Sequence, residues 1–229
     1  MACFTHIAID GPVGSGKTTV ARELARRLGV LYLDTGAMYR AVALIALRAR
    51  IDAGDQTALL EAVRLEPVHV TLDAEAPLGF RIFAGERELG QDLYENEVSG
   101  LASVVAAHPR LREEMVARQR EISLEGPVVM AGRDIGTVVL PDAPLKVFLT
   151  ASVDARVRRR SAELAARGVL VETNLLRAQV VERDRLDATR PIAPLRRASD
   201  AVEIDSSDLS VDEVVERILS LVELSAGGR

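Results

Sequence analysis

Gly11-Pro12-Val13-Gly14-Ser15-Gly16-Lys17-Thr18 combines glycines, one lysine and one hydroxyl at the spacing G-x-x-x-x-G-K-[ST]. Glycines let successive backbone N–H groups turn inward around a phosphate, and a helix starting at the end of such a loop adds partial positive charge. Chemically this is a cradle for a nucleoside triphosphate. Lys17 reaches the β- and γ-phosphates, Thr18 offers its hydroxyl to Mg²⁺, and Thr19 closes the ATP-binding run. Lysine is scarce, since only Lys17 and Lys146 among 29 basic residues are not arginine.

Arginines supply the remaining cationic chemistry. A phosphorylated acceptor needs bidentate donors, and a phosphoryl group in flight needs positive charge around it. Arg40 follows a second apolar run and Arg133 a third, both at expected carboxyl ends of strands, where open α/β sheets bind ligands. A further set, Arg156, Arg158, Arg159 and Arg160, stands opposite Arg183, Arg185 and Arg190 on an expected pair of helices, a candidate lid over residues 156–190. Arg110, Arg112, Arg118 and Arg120 lie on one helical stretch, where a solvated face is the plainer expectation.

The elements that must position these groups alternate. His6 to Asp10 is a short apolar run ahead of the glycine-rich loop, and Val20, Leu24 and Leu28 then repeat at helical spacing up to Gly29. A second strand is expected over Val30–Asp34 and a helix over Met38–Arg50. From Pro67 to Leu89 apolar residues alternate with polar ones, as in antiparallel strands, and helical spacing returns over Glu97–Ser123. Runs at Pro127–Met130 and Leu145–Leu149 read as buried parallel strands, separated by a loop GRDIGTVVLPDAP. Helices over 153–167 and 172–187, a strand over 201–204, a helix over 211–224 and a frayed SAGGR end complete the pattern.

The fold class expected is a three-layer α/β P-loop architecture with a central parallel sheet of about five strands. Residues 1–65 and 124–229 should form the core and 66–123 an inserted acceptor-binding subdomain. The 229 residues, 48% of them hydrophobic, are enough for a substantial core. A net charge of −5 argues against general nucleic-acid binding. No apolar stretch is long enough for a bilayer and the amino-terminal residues do not resemble a signal peptide, so a cytoplasmic protein is expected; separately, it is expected to be a monomer. Cys3 has no partner for an internal disulfide and is read as inert. His6, His69 and His108 show no metal-ligand spacing. Of the tyrosines, Tyr32 suits the core, and Tyr39, next to Arg40, is the candidate to touch the acceptor.

GPVGSGKTT, LDTGAMYRA, the strand-rich insertion, GRDIGTVVLPDAPLKVFL and RDRLDATRPIAPLRRASDAVEIDSS together resemble the bacterial cytidylate kinases of the nucleoside monophosphate kinase family, over nearly the whole chain. The resemblance implies transfer of the γ-phosphoryl group of ATP to CMP, with dCMP as a further acceptor and Mg²⁺ as cofactor. It implies that Arg40 and Arg133 hold the acceptor phosphate, and that Asp134, Ser103 and Arg112 meet the cytosine edge. It points to Arg183, Asp187 and Arg190 for the ribose and phosphate, and to Thr35 near the acceptor. Lys17, Arg133, Arg159 and Arg190 are then the catalytic candidates and Thr18 the metal candidate. One departure is Ala131, where the family often carries Asp or Glu near the metal shell. Asp10 and Asp34 are other carboxylates at strand ends, and Asp10 suits a structural cap equally well.

Two other readings share the P-loop. A GTPase-like switch would need N-K-x-D to read guanine, but Asn96 and Asn174 lie in NEVS and NLLR. A kinase for a small metabolite would not need the arginine-rich lid together with GRDIGT.

Overall fold

The computed structural model describes residues 6–166 and 168–227, so Cys3 lies outside the described residues. Five strands form one parallel sheet: β1 (His6–Asp10), β2 (Leu31–Asp34), β6 (Val128–Gly132), β7 (Leu145–Thr150) and β8 (Val202–Asp205), in the order β2-β6-β1-β7-β8. This is the α/β class expected from the alternating pattern. Among the described residues no helix is long and apolar enough to cross a membrane. The chain divides into two compact units, one from residues up to Leu24 together with those from Ala131 onward, the other Ala25–Met130.

In the first unit β1 pairs with β7 and β7 with β8, all parallel, placing Ile7 opposite Leu145 and Val147 opposite Val202. Ala8, Ile9 and Leu149 are fully buried, as a sheet covered on both faces requires. Helix α1 (Lys17–Leu28) starts directly after the glycine-rich loop. Helices α6 (Val153–Ala166) and α7 (Thr173–Thr189) pack against each other over a small core of Val157, Leu164, Leu176 and Val180. The last helix, α8, runs Val211–Gly227, three residues beyond the expected end at Leu224.

The second unit begins with the rest of α1 and contains β2 and helix α2 (Thr35–Ala49). Asp34 caps α2 by accepting a hydrogen bond from the Gly36 amide, so the helix starts three residues before the expected Met38. Helix α3 (Gln56–Leu65) had no counterpart in the sequence reading. Asp55 accepts from the Thr57 and Ala58 amides at its start, and Leu59 and Val63 bury its inner face. Strands β3 (Val68–Leu72), β4 (Phe80–Ala84) and β5 (Arg87–Leu89) make the expected antiparallel sheet.

The helix expected over Glu97–Ser123 is two helices, α4 (Asn96–Val105) and α5 (Pro109–Ser123). The reason is local: Pro109 suits a first helical turn, and the residue before a proline is pushed out of helical geometry, so His108 is extended at φ −76°, ψ 119°. The solvated face expected for the arginines of this stretch holds for Arg110 and Arg120 but not for Arg112, which is 3% exposed.

Candidate active site

The chemistry in the first unit gathers at the carboxyl ends of β1, β6 and β8. Gly11 leaves β1 with φ +151°, and a Cβ there would meet the Leu149 carbonyl oxygen at 2.0 Å, so the loop's first turn admits only glycine. The Lys17 ammonium donates to the Pro12 carbonyl at 2.6 Å and to Ser15 Oγ at 3.3 Å, folding back over its own loop. Ser206, at the end of β8, donates to the Ser15 carbonyl at 3.0 Å and tethers the loop to the sheet. Thr18 and Thr19 are exposed in the first turn of α1.

Two arginines of α6 lie against this loop and serve it differently. Arg156, buried, donates to the carbonyls of Ala151 and Val13 and forms a forked ion pair with Asp184 of α7, at 2.8 and 2.6 Å. It joins the helical hairpin to the loop as a structural strut. Arg159 hydrogen-bonds the Ser206 hydroxyl at 3.1 Å and the Ser206 carbonyl, which carries its guanidinium to the loop: a Cβ on Gly16 would sit 3.8 Å from Nη1. Lys17 and Arg159 are thus brought to one place. Arg158 is exposed, Arg160 pairs with Glu163 and Arg185 with Glu182, all away from this cluster's bonds.

A second cationic cluster centres on Asp187, which is 2% exposed. Arg133 Nε donates to it at 2.7 Å, and Arg183 Nε stands 3.8 Å away. Burial alone would push this carboxyl up, but Arg133, Arg183 and Arg190 together hold it below the usual range. Arg190 also donates to the Ala193 carbonyl at 3.1 Å. Asp134 is buried beside Arg133, and its side chain makes no capping bond to the π-helical turn Ile135–Val139 that follows. That bracing falls to Asp10, whose carboxylate accepts from the Ile135 and Gly136 amides.

The second unit holds the remaining acceptor candidates. Arg40 donates to Asp34 at 2.7 Å and stacks 4.6 Å from the Tyr94 ring centre, so the carboxylate that caps α2 also sets the guanidinium's direction. Thr35 is buried at the start of the same helix. Arg112 lies 5.4 Å from the Tyr39 ring centre and donates to the Ala106 carbonyl. Ser103 Oγ is buried with no hydrogen-bond partner among the described residues. Tyr32 packs on Phe80 in the core, as expected.

No group of three or more His, Cys, Asp or Glu among the described residues could hold a metal. Both Asp10 oxygens are engaged by backbone amides and Asp34 by its cap and Arg40, which makes neither a ready ligand. The exposed Thr18 hydroxyl fits a metal that keeps most of its water and binds through phosphate oxygens. The roles of Ser206 and Arg156 are not visible in the sequence pattern. The only signal for Ser206 was its position just past an expected strand end in EIDSS.

A family profile described as Cytidylate kinase matches residues 7–224. A cytidylate kinase of Pelotomaculum thermopropionicum is 49% identical over 229 residues, covering 100% of both chains. One of Geobacillus kaustophilus is 48% identical over 221 residues, 96% of this chain and 97% of its own. Among solved structures, a gluconokinase of Sinorhizobium meliloti superposes with a TM-score of 0.50 at 16% identity, over 99% of this chain and 96% of that one, a likeness of fold alone. Sequence and geometry agree with this match from the glycine-rich loop to the last helix, and the chain belongs to the cytidylate kinase family.

Proposed function

We propose a division of labour for the family's reaction, the ATP-dependent phosphorylation of CMP to CDP, in which one loop holds the donor and separate arginine and carboxylate groups hold the acceptor. The loop Gly11–Thr19 wraps the ATP phosphates with backbone amides, and Lys17 and Arg159 supply positive charge where the γ-phosphoryl leaves its bridging oxygen. Thr18 would hold Mg²⁺, which supplies charge neutralisation across the β- and γ-phosphates when bound. The family resemblance assigns Arg40, Arg133 and Arg190 to the acceptor phosphate, and Arg183 and Asp187, which pair with or stand beside Arg133, to the ribose and phosphate.

The base is read by polar pairs. Asp134 accepts from the cytosine amino group, Arg112 donates toward the ring nitrogen, and Ser103 contributes its buried hydroxyl. Thr35 and Tyr39 line the acceptor's approach. A phosphate oxygen of the acceptor is already anionic near neutral pH, so attack on the γ-phosphorus needs no side-chain base; positioning and charge supply the catalysis. The carrying observation is the convergence of Arg133, Arg183 and Arg190 on the buried Asp187, an array that an uncharged acceptor would not require.

A coupled assay of ADP release across CMP, dCMP, UMP, AMP, GMP and shikimate tests the reading. CMP should give the highest kcat/KM, with dCMP measured as the finer question. A higher kcat/KM for any acceptor that is not a cytosine nucleotide would refute it.

A further inference from the structure

Strand β1 ends on Asp10, one residue before the donor loop, yet its carboxylate serves a segment 125 positions away. Oδ1 accepts from the Ile135 amide and Oδ2 from the Gly136 amide, each at 2.8 Å, with the side chain only 4% exposed. Those are the two amides directly after Asp134. A planar carboxylate with both oxygens engaged leaves the backbone carrying Arg133 and Asp134 little freedom to rotate. Gly136 leaves little room beside this contact: a Cβ there would come to 3.1 Å from Lys146 Cδ and 3.4 Å from Asp10 Oδ2. Lys146 is itself fixed by the Pro141 carbonyl and by Asp200 at 2.7 Å.

The hydrogen bonds of the donor loop do not run through Asp10, although the Lys17 charge acts on its carboxylate. The loop is anchored by Lys17 on the Pro12 carbonyl, by Ser206 on the Ser15 carbonyl, and by Arg156 on the Val13 carbonyl at 3.2 Å. Removing the Asp10 carboxylate therefore releases the acceptor-side turn while leaving the bonds of the donor loop in place.

We infer that Asp10 is a specificity-positioning residue, which through the Ile135 and Gly136 amides holds Asp134 at the angle where the acceptor's base is read and Arg133 toward its phosphate. The inference rests on the assignment of Asp134 to the cytosine edge made above.

Asp10→Asn keeps the shape but offers one accepting oxygen, and its amide NH₂ faces the other backbone N–H. Losing one charge-assisted bond should raise KM for CMP roughly ten-fold and lower the CMP/UMP ratio of kcat/KM, with KM for ATP changed by no more than about two-fold. Equal rises in KM for CMP and ATP, or an unchanged CMP/UMP ratio, overturn the inference. Asp134→Ala measured in parallel separates the two assignments. If it lowers the ratio while Asp10→Asn does not, the positioning role alone fails; if it leaves the ratio unchanged, base reading by Asp134 fails and the inference with it. Should Asp10→Asn not fold, hydrogen exchange on the wild-type protein decides. Ile135 and Gly136 amides exchanging at least about ten-fold slower than open-loop amides support the bond, and exchange at open-loop rates overturns it.

Discussion

The loop after β1 and the turn after β6, proposed to serve donor and acceptor, are held by different means. The donor loop owes its shape to backbone freedom. Gly11 occupies a conformation and a space that exclude any side chain, and the loop's tethers fall on its own carbonyls. The 132–139 segment is a π-helical turn closed by its own backbone bonds to the Asp134 and Ile135 carbonyls, and one distant side chain, Asp10, holds the two amides at its start. A phosphate is bound alike in every nucleotide, so a self-contained backbone nest suffices for it. Reading a base requires side chains at fixed angles, and these need an external brace.

The largest way to break this contrast is on the donor side. Lys17→Ala should lower kcat/KM by several kcal/mol of transition-state stabilisation with the fold intact by circular dichroism; retention of more than about a tenth of wild-type kcat/KM, roughly 1.4 kcal/mol lost, would remove Lys17 from the reacting phosphates. Next comes the loop's conformation. Gly11→Ala drives a methyl into the Leu149 carbonyl, so the loop or the end of β7 must shift, and both the melting temperature and ATP affinity should fall. A variant with unchanged ATP affinity would show that the loop tolerates rearrangement.

The donor loop was legible because everything that specifies it is local: a strand, glycines at fixed spacing and a helix start. The five-stranded sheet was equally legible, four strands being short apolar runs between turn residues and β8 an alternating one. Helix α3 is hard to read although Asp55 marks its start, because it is only ten residues long and just Leu59 and Val63 among its apolar residues are buried. The break at His108-Pro109 was visible in the sequence but outweighed by helical spacing on both sides. Burial was the harder matter. Nothing in the spacing of Arg110, Arg112, Arg118 and Arg120 says that Arg112 alone is almost fully enclosed, with the ring of Tyr39, far away in the chain, beside it. The bonds from Asp10 to Ile135 and Gly136 likewise join positions that no local pattern relates.

A smaller effect distinguishes two buried carboxylates of the first unit. Burial pushes the Asp10 carboxyl up to about 6, and the Gly136 and Ile135 amides offset only part of that. Its folded-state value lies above the unfolded one, so its contribution to stability is fully present below pH 3.8 and is lost as pH rises through about 6. Asp187 behaves oppositely. Held low by its three arginines despite burial, it contributes stability above the ordinary carboxylate value, and that contribution is lost as pH falls through its folded value. Chemical denaturation from pH 3 to 7 should show the wild type losing ground to Asp10→Asn as pH rises, by up to about 3 kcal/mol, and losing ground to Asp187→Asn as pH falls. Parallel pH profiles for the two variants would contradict the opposed environments.

The braced turn, and not the donor loop, is proposed to choose the acceptor. Cytosine offers an amino donor beside a ring-nitrogen acceptor, whereas uracil would set a carbonyl oxygen against the Asp134 carboxylate under the proposed assignment. An unpaired buried polar group costs about 1–3 kcal/mol, so tenfold to several hundredfold discrimination is expected. The most direct test is the CMP/UMP ratio of kcat/KM for Asp134→Ala beside the wild type, with melting temperatures for both. The account predicts a large fall in kcat/KM for CMP, little change for UMP and a melting temperature near wild type. Equal losses on both substrates with a lowered melting temperature would contradict it and reduce Asp134 to a brace of its own loop.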